Sequence, residues 1–210
     1  MNQPAQREWV ELAATVLLAL AAVATAWSSY QAARWNGEQA KAASAVNKTR
    51  IEAARASDLA NAQTEIDVAT FTQWVDAFAR GEHFLTTFYR TRFREEFKPA
   101  VAAWIASRPL QNANAPLTPF AMPQYRLAAR ADAARLDAQA EELSAQVRRN
   151  IQRSTNYVLG VVLFAVALFF AAMCTRLASP RLRAAVLGLG VLVFVTAFVW
   201  IVTSPVSFSI

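Results

Sequence analysis

One cysteine and one histidine in 210 residues leave no Cys/His metal cluster and no disulfide framework. Glycine is scarce, with five residues, and none falls in a G-x-G-x-x-G or G-x-x-x-x-G-K-[ST] pattern. Phosphate-cradling loops of those kinds are therefore absent. Neither G-x-S-x-G nor H-E-x-x-H occurs, which removes the nucleophile elbow and the zincin site. The most telling absence is local. Charge is missing from three stretches, at roughly 12–30, 157–175 and 184–203, each about as long as a bilayer-spanning helix. What is present fits that reading: the chain is 55% hydrophobic and only 17% charged, with a mean hydropathy of +0.22.

The expected fold class is an all-α integral membrane protein. It has three transmembrane helices and a long helical hairpin, coiled-coil-like, between the first and second. The expected organisation is an N-terminal tail and first span over 1–30, a helical hairpin domain over 31–156, two spans over 157–203 and a C-terminal tail over 204–210. Trp9 and Trp27 bracket the first span, separated by about 27 Å at the α-helical rise, and paired tryptophans are typical interface anchors. A cleaved signal peptide is disfavoured, because Trp27-Ser28-Ser29-Tyr30 is no cleavage site and the helical pattern runs on. Thr15, Ala19, Ala22 and Ala26 recur at four, three and four, forming a candidate helix-packing stripe. The bland alternative is that an Ala-rich span has small residues everywhere.

The turn at 175–183 carries Arg176, Arg181 and Arg183 with no acid. By the positive-inside rule these are the topology determinants. They put the turn and the N-terminus in the cytoplasm and the hairpin domain outside it. Arg34, Lys41, Arg148, Arg149 and Arg153 pull the other way, though long translocated loops obey the rule poorly. No ionisable residue lies mid-span, which argues against proton-coupled transport. A passive pore lined by small polar groups such as Thr15 and Thr196 stays open.

Segment 28–156 holds 17 basic and 13 acidic residues, a net of +4. No helix breaker falls between Gly37 and Gly81, and Leu59, Ala62, Ile66 and Ala69 suggest a heptad-like seam. Leu136, Ala140, Leu143 and Val147 suggest its counterpart on a return helix that starts after Pro123. The outgoing helix is the longer, so it either bends, at Gly37 or Gly81, or projects beyond its partner. Phe84, Phe88, Phe93 and Phe97 form an aromatic face among Arg90, Arg92, Arg94 and Lys98. A core face with a solvated back is the preferred reading, since Trp74, Val75, Phe78 and Trp104 offer partners. A membrane-surface helix and a nucleic-acid surface are the alternatives, nucleic acid the least favoured. Pro99 restarts a short helix, and a strap at 108–125 carries Pro109, Pro116, Pro119 and Pro123. Its Leu110, Leu117, Phe120, Met122 and Tyr125 predict an ordered cover, against a disordered linker.

Two motifs carry a resemblance. Residues 27–40 read as W-x-x-Y-Q-A-x-x-W-x-G-x-Q-A, and the strap reads as N-x-N-A-P-x-x-P-F-A-M-P-x-Y over 112–125. Together they resemble a group of uncharacterised bacterial multi-pass membrane proteins of unknown function. The resemblance implies a bacterial inner-membrane location and supplies no catalytic residues. Within the first motif Trp27, Gln31, Trp35 and Gln39 are four apart and share a helix face. With Tyr30 they form a candidate membrane-interface or subunit-contact face. Interfacial anchoring with ordinary packing and a vestibule lining both fit it.

Catalysis is not expected. His83 lacks a positioned partner, Asp76 and Glu95-Glu96 suit solvated helix faces, and Cys174 suits a buried apolar position. No metal or cofactor is expected. The expected function is a homo-oligomeric interaction or scaffold component, non-enzymatic, acting through the helical domain. The alternative is an oligomeric passive channel lined by the first span. Expected partners are the lipid bilayer, further copies of the chain and an unidentified protein.

Overall fold

The computed structural model describes residues 3–207, with side chains from Glu8 onward, so the ends of the expected tails at 1–30 and 204–210 fall outside the described residues. All regular structure among the described residues is helical: α1 Gln3–Ala79, α2 His83–Arg92, α3 Lys98–Ala106, a 3-10 turn at Pro119–Ala121, α4 Ala128–Cys174 and α5 Pro180–Val202. Three of these, α1, α4 and α5, are long and apolar enough to cross a membrane. The chain is thus an all-α membrane protein with three candidate spans. It divides into two compact units, residues 1–44 with 143–210 and residues 45–142.

In the first unit, the spans meet through small residues. Gly160 of α4 stands where an added Cβ would lie 2.5 Å from Ile201 Cδ1 and 3.6 Å from Ser28 Oγ. Gly190 of α5 is similarly placed, against Phe170 Cβ at 3.1 Å and Leu17 Cδ2 at 3.5 Å. Without a strong hydrophobic force between helices in lipid, close approach of this kind gives dispersion contact its full value. Trp35, Tyr157, Phe164, Ala197 and Ile201 form the buried cluster, with Phe164 and Phe194 rings 5.5 Å apart. At the turn between α4 and α5, Arg183 reaches Glu11 at 3.6 Å and donates to the Leu177 carbonyl at 2.6 Å.

The second unit contains the rest of α1, α2, α3, the strap and the start of α4. Gly37 lies within α1 and breaks nothing. Gly81 is the true stop: it is left-handed, φ +73°, and its N–H bonds the Phe78 carbonyl while Glu82 bonds that of Ala77. That is a Schellman closure, which glycine permits without steric cost. The buried residues of α1 here are Val46, Thr49, Ala53, Ala60, Asp67, Phe71, Trp74 and Ala77. Ala53, Ala60, Asp67 and Trp74 repeat every seven.

This corrects the expected outgoing seam. Leu59 and Ile66 are 54% and 53% exposed, and Ala62 and Ala69 are exposed with them. The face with Ala53 and Ala60 also carries Phe71 and Trp74, which pack in the aromatic cluster, and Asp67, which pairs with Arg94, so that face is buried and the leucine side is left out. On the return helix Ala140 is buried and Leu136, Leu143 and Val147 are half-buried, as the pattern predicts. That helix begins at Ala128 rather than after Pro123. Residues 123–127 stay irregular because Tyr125 is drawn to α1, and Glu96 accepts a hydrogen bond from the Ala128 N–H at 3.3 Å.

The aromatic run also divides. Phe93 and Phe97 are buried, whereas Phe84 and Phe88 are exposed. Helix α2 ends at Arg92, and Phe93 takes an extended backbone, φ −56° and ψ 142°. The break in helical phase sends Phe93 and Phe97 inward and leaves α2 with no buried residue. Phe97 then stacks on Phe120 at 5.0 Å, with Phe71 and Tyr125 edge-on to the pair. Each such aromatic pair adds roughly 0.5–1.5 kcal/mol beyond its area. The strap is ordered through these rings and through Trp104 Nε1, which donates to the Pro116 carbonyl at 2.7 Å. Its Leu110 and Leu117 stay exposed.

Candidate functional site

The first-motif residues separate into two groups. Trp27 and Tyr30 are exposed, with rings 6.0 Å apart, a placement that suits headgroup-level anchors. Gln31 and Trp35 instead point into the first unit and are buried. Gln39 is half-buried. Spacing of four spreads residues by about 40° per step on a straight helix, so the row drifts off one face.

Gln31 and Trp35 hold the chain's return segment. The Ser207 N–H donates to Gln31 Oε1 at 3.1 Å, and Trp35 Nε1 donates to the Pro205 carbonyl at 3.2 Å. Tyr157 OH donates to the same carbonyl at 3.3 Å. Arg153 lies 4.5 Å from the Trp35 ring centroid, a cation–π contact. Ser154 Oγ bridges to Asn36 Oδ1 at 2.8 Å and the Ala32 carbonyl at 3.2 Å. Buried polar groups must be hydrogen-bonded or they cost stability, so this lock fixes the end of α5 to α1 and α4. Tyr157, Ser154 and Pro205 escape sequence reading because their partners lie 48 to 170 residues away.

The small-residue stripe faces outward: Thr15, Ala19, Ala22 and Ala26 are all exposed. The α1 face packed within the unit is Ala14, Leu17, Ala21 and Ser28 instead. Thr15 Oγ1 bonds the Glu11 carbonyl at 2.9 Å and Thr25 Oγ1 that of Ala21 at 2.7 Å. Of the turn arginines, Arg176 and Arg181 are exposed, and Arg183 is half-buried on Glu11.

The second unit contains a buried polar network that no sequence motif announces. Asp67 is fully buried on α1. Its Oδ2 accepts from Arg94 Nη1 at 2.8 Å and from Tyr125 OH at 3.1 Å. Oδ1 has no partner among the described residues. Arg94 also pairs with Glu96 at 2.5 Å, and Arg130 reaches Thr64 Oγ1 at 3.5 Å. Burial pushes the Asp67 carboxyl above its usual range, against the pull of Arg94 and the Tyr125 hydrogen bond. Burial likewise raises the Tyr125 phenol. The network ties α1, the α2–α3 connection and the strap at one point. It is surrounded by the aromatic cluster and serves as a structural clasp.

No group of three or more His, Cys, Asp or Glu placed to hold a metal ion occurs among the described residues. His83 is exposed beside Glu82, and Cys174 is buried with its thiol donating to the Ala171 carbonyl at 3.1 Å. Comparison with protein-family models, with curated proteins and with solved structures finds no match.

Proposed function

We propose that the chain is a membrane-anchored, self-associating interaction module, with α1 as its assembly helix. One observation carries this reading. Leu59, Ala62, Ile66 and Ala69 repeat at three, four and three on α1, outside the apolar spans, and all four are exposed in the single chain. Alternating large and small apolar residues at this spacing form a seam suited to another helix with the same pattern. A second copy of α1 supplies that pattern. The outward stripe of Thr15, Ala19, Ala22 and Ala26 offers a matching contact within the bilayer.

A bacterial inner membrane, with the turn arginines in the cytoplasm and the helical domain outside, is the setting this reading adopts. The bacterial inner membrane rests on the resemblance of the two motifs, and the sidedness on the charge of the 175–183 turn. The module works by contact and not by chemistry. A pore around α1 has less support, because Gln31 is turned inward to Ser207 and the exposed Thr15 and Thr196 hydroxyls each donate to a carbonyl of their own helix.

Native mass of the full-length protein in nanodiscs tests the proposal. Wild type should give a defined oligomer, and Leu59→Glu with Ile66→Glu should give a folded monomer. A wild-type monomer, or an oligomer unchanged by both substitutions, overturns it.

A further inference from the structure

The end of α1, α2, α3 and the start of the strap enclose a groove of about 640 Å³ that neither the clasp nor the assembly seam uses. That size falls in the range of small-molecule sites, roughly 300–1,000 Å³. Its apolar walls include Trp74, Val75, Phe78, Trp104, Ile105 and Leu110. Val75, Phe78, Ile105 and Leu110 are all exposed, the last at 87%. Exposed apolar side chains gathered in a concavity mark a binding site more often than scattered ones do. The Trp74 indole N–H is buried without a partner among the described residues.

Beside it lies a polar cavity of about 470 Å³, lined by Thr86, Thr87, Arg90, Thr91 and Lys98. The two cavities share Thr86 and Arg90. No acidic residue lines either one, while Arg90 lies between them and Arg108 on the apolar rim. Lys98 is paired with Glu95 at 2.5 Å, so the two guanidinium groups are the cations that define the site. Arg108 is left-handed, φ 51°, an unfavourable conformation for a residue with a Cβ. It stands where the strap turns back beside the groove. Its carbonyl accepts from both the Gln111 and Asn112 N–H groups, at 2.9 Å. A strained backbone at a cavity rim points from geometry toward use.

We infer that the joined cavities bind a lipid with one acyl chain and a phosphate head, the chain in the apolar groove and the phosphate on Arg90 and Arg108. Guanidinium groups match phosphate oxygens in geometry and charge. The threonine-lined cavity accommodates the polar remainder of the head. A neutral apolar ligand would leave both arginines unused, and a free phosphate would leave the groove empty.

The test uses the full chain in neutral-lipid nanodiscs and a lysophosphatidic acid with a photoreactive group on its acyl chain. Cross-linked peptides are mapped by mass spectrometry. The expected labels fall within residues 74–78 and 104–111, and the matching monoacylglycerol, which lacks the phosphate, labels these peptides roughly tenfold less. Arg90→Ala with Arg108→Ala should reduce the lysophosphatidic acid label there by a similar factor and leave label on the membrane spans unchanged. Both arginines are exposed, and circular dichroism checks that the variant is folded. Label confined to the spans, equal label from the two head groups, or label unaffected by the arginine substitutions each overturns the inference.

Discussion

Replacing Arg94 with Met and Asp67 with Asn should have unequal costs, although the two residues form one ion pair. Arg94→Met leaves Asp67 fully buried with Tyr125 as its remaining donor of note. An uncompensated buried charge costs about 3–5 kcal/mol. Asp67→Asn leaves Arg94 its pairing with Glu96, so the loss is that of one hydrogen-bonded contact, about 1–2 kcal/mol. The double variant should be more stable than Arg94→Met alone. Amide hydrogen exchange of the full-length protein in detergent reads this directly for residues 64–71 and 93–101. Arg94→Met should accelerate exchange by roughly two to four orders of magnitude if opening follows the local free energy.

The pH dependence sharpens the test. Burial raises the folded Asp67 carboxyl above its ordinary value of 3.8, so folding favours the protonated form. That contribution is fully present below 3.8 and is lost as pH rises through the folded value. Without Arg94 the carboxyl rises further. The Arg94→Met deficit should therefore shrink as pH falls from neutral toward the ordinary carboxyl value, while the Asp67→Asn deficit should not. Equal costs for the two variants, or an Arg94→Met deficit independent of pH, would refute the reasoning.

Two further predictions concern the first unit. Gly160→Ala should destabilise the three-helix packing by about 1–3 kcal/mol, since its Cβ must displace Ile201. Ile201→Ala, which removes both Cδ1 and the Cγ1 that lies 2.9 Å from the added Cβ, should restore part of this in a double-mutant cycle followed by unfolding in mixed micelles. Trp35→Phe with Tyr157→Phe removes both side-chain donors to the Pro205 carbonyl. The pair should release the return segment and expose the Ser207 amide to faster exchange, with each single change having the smaller effect.

The membrane class was legible because uncharged runs of span length are a one-dimensional signal. The stop at Gly81 is equally local, set by a left-handed turn, whereas Gly37 offers the same breaker and lies inside α1. The buried face of α1 was not legible. Alanine is common all around that helix, so the large apolar residues at 59 and 66 drew the seam to the wrong side. Asp67, in a buried seven-residue repeat with Ala53, Ala60 and Trp74, reads as solvent-facing until Arg94 and Tyr125 are placed against it. The same holds for Gln31, whose partner Ser207 lies 176 residues away. Polar residues reveal a buried role only through tertiary partners, and one-dimensional spacing does not contain these.

The most direct test of self-association through α1 is disulfide cross-linking in native membranes. Single cysteines would be placed at Leu59, Ile66, Ala60 and Ala53 in a Cys174→Ser background. The account predicts covalent dimers from Leu59→Cys and Ile66→Cys, and none from Ala60→Cys or Ala53→Cys, whose positions are buried within the chain. Monomers from all four positions would contradict it.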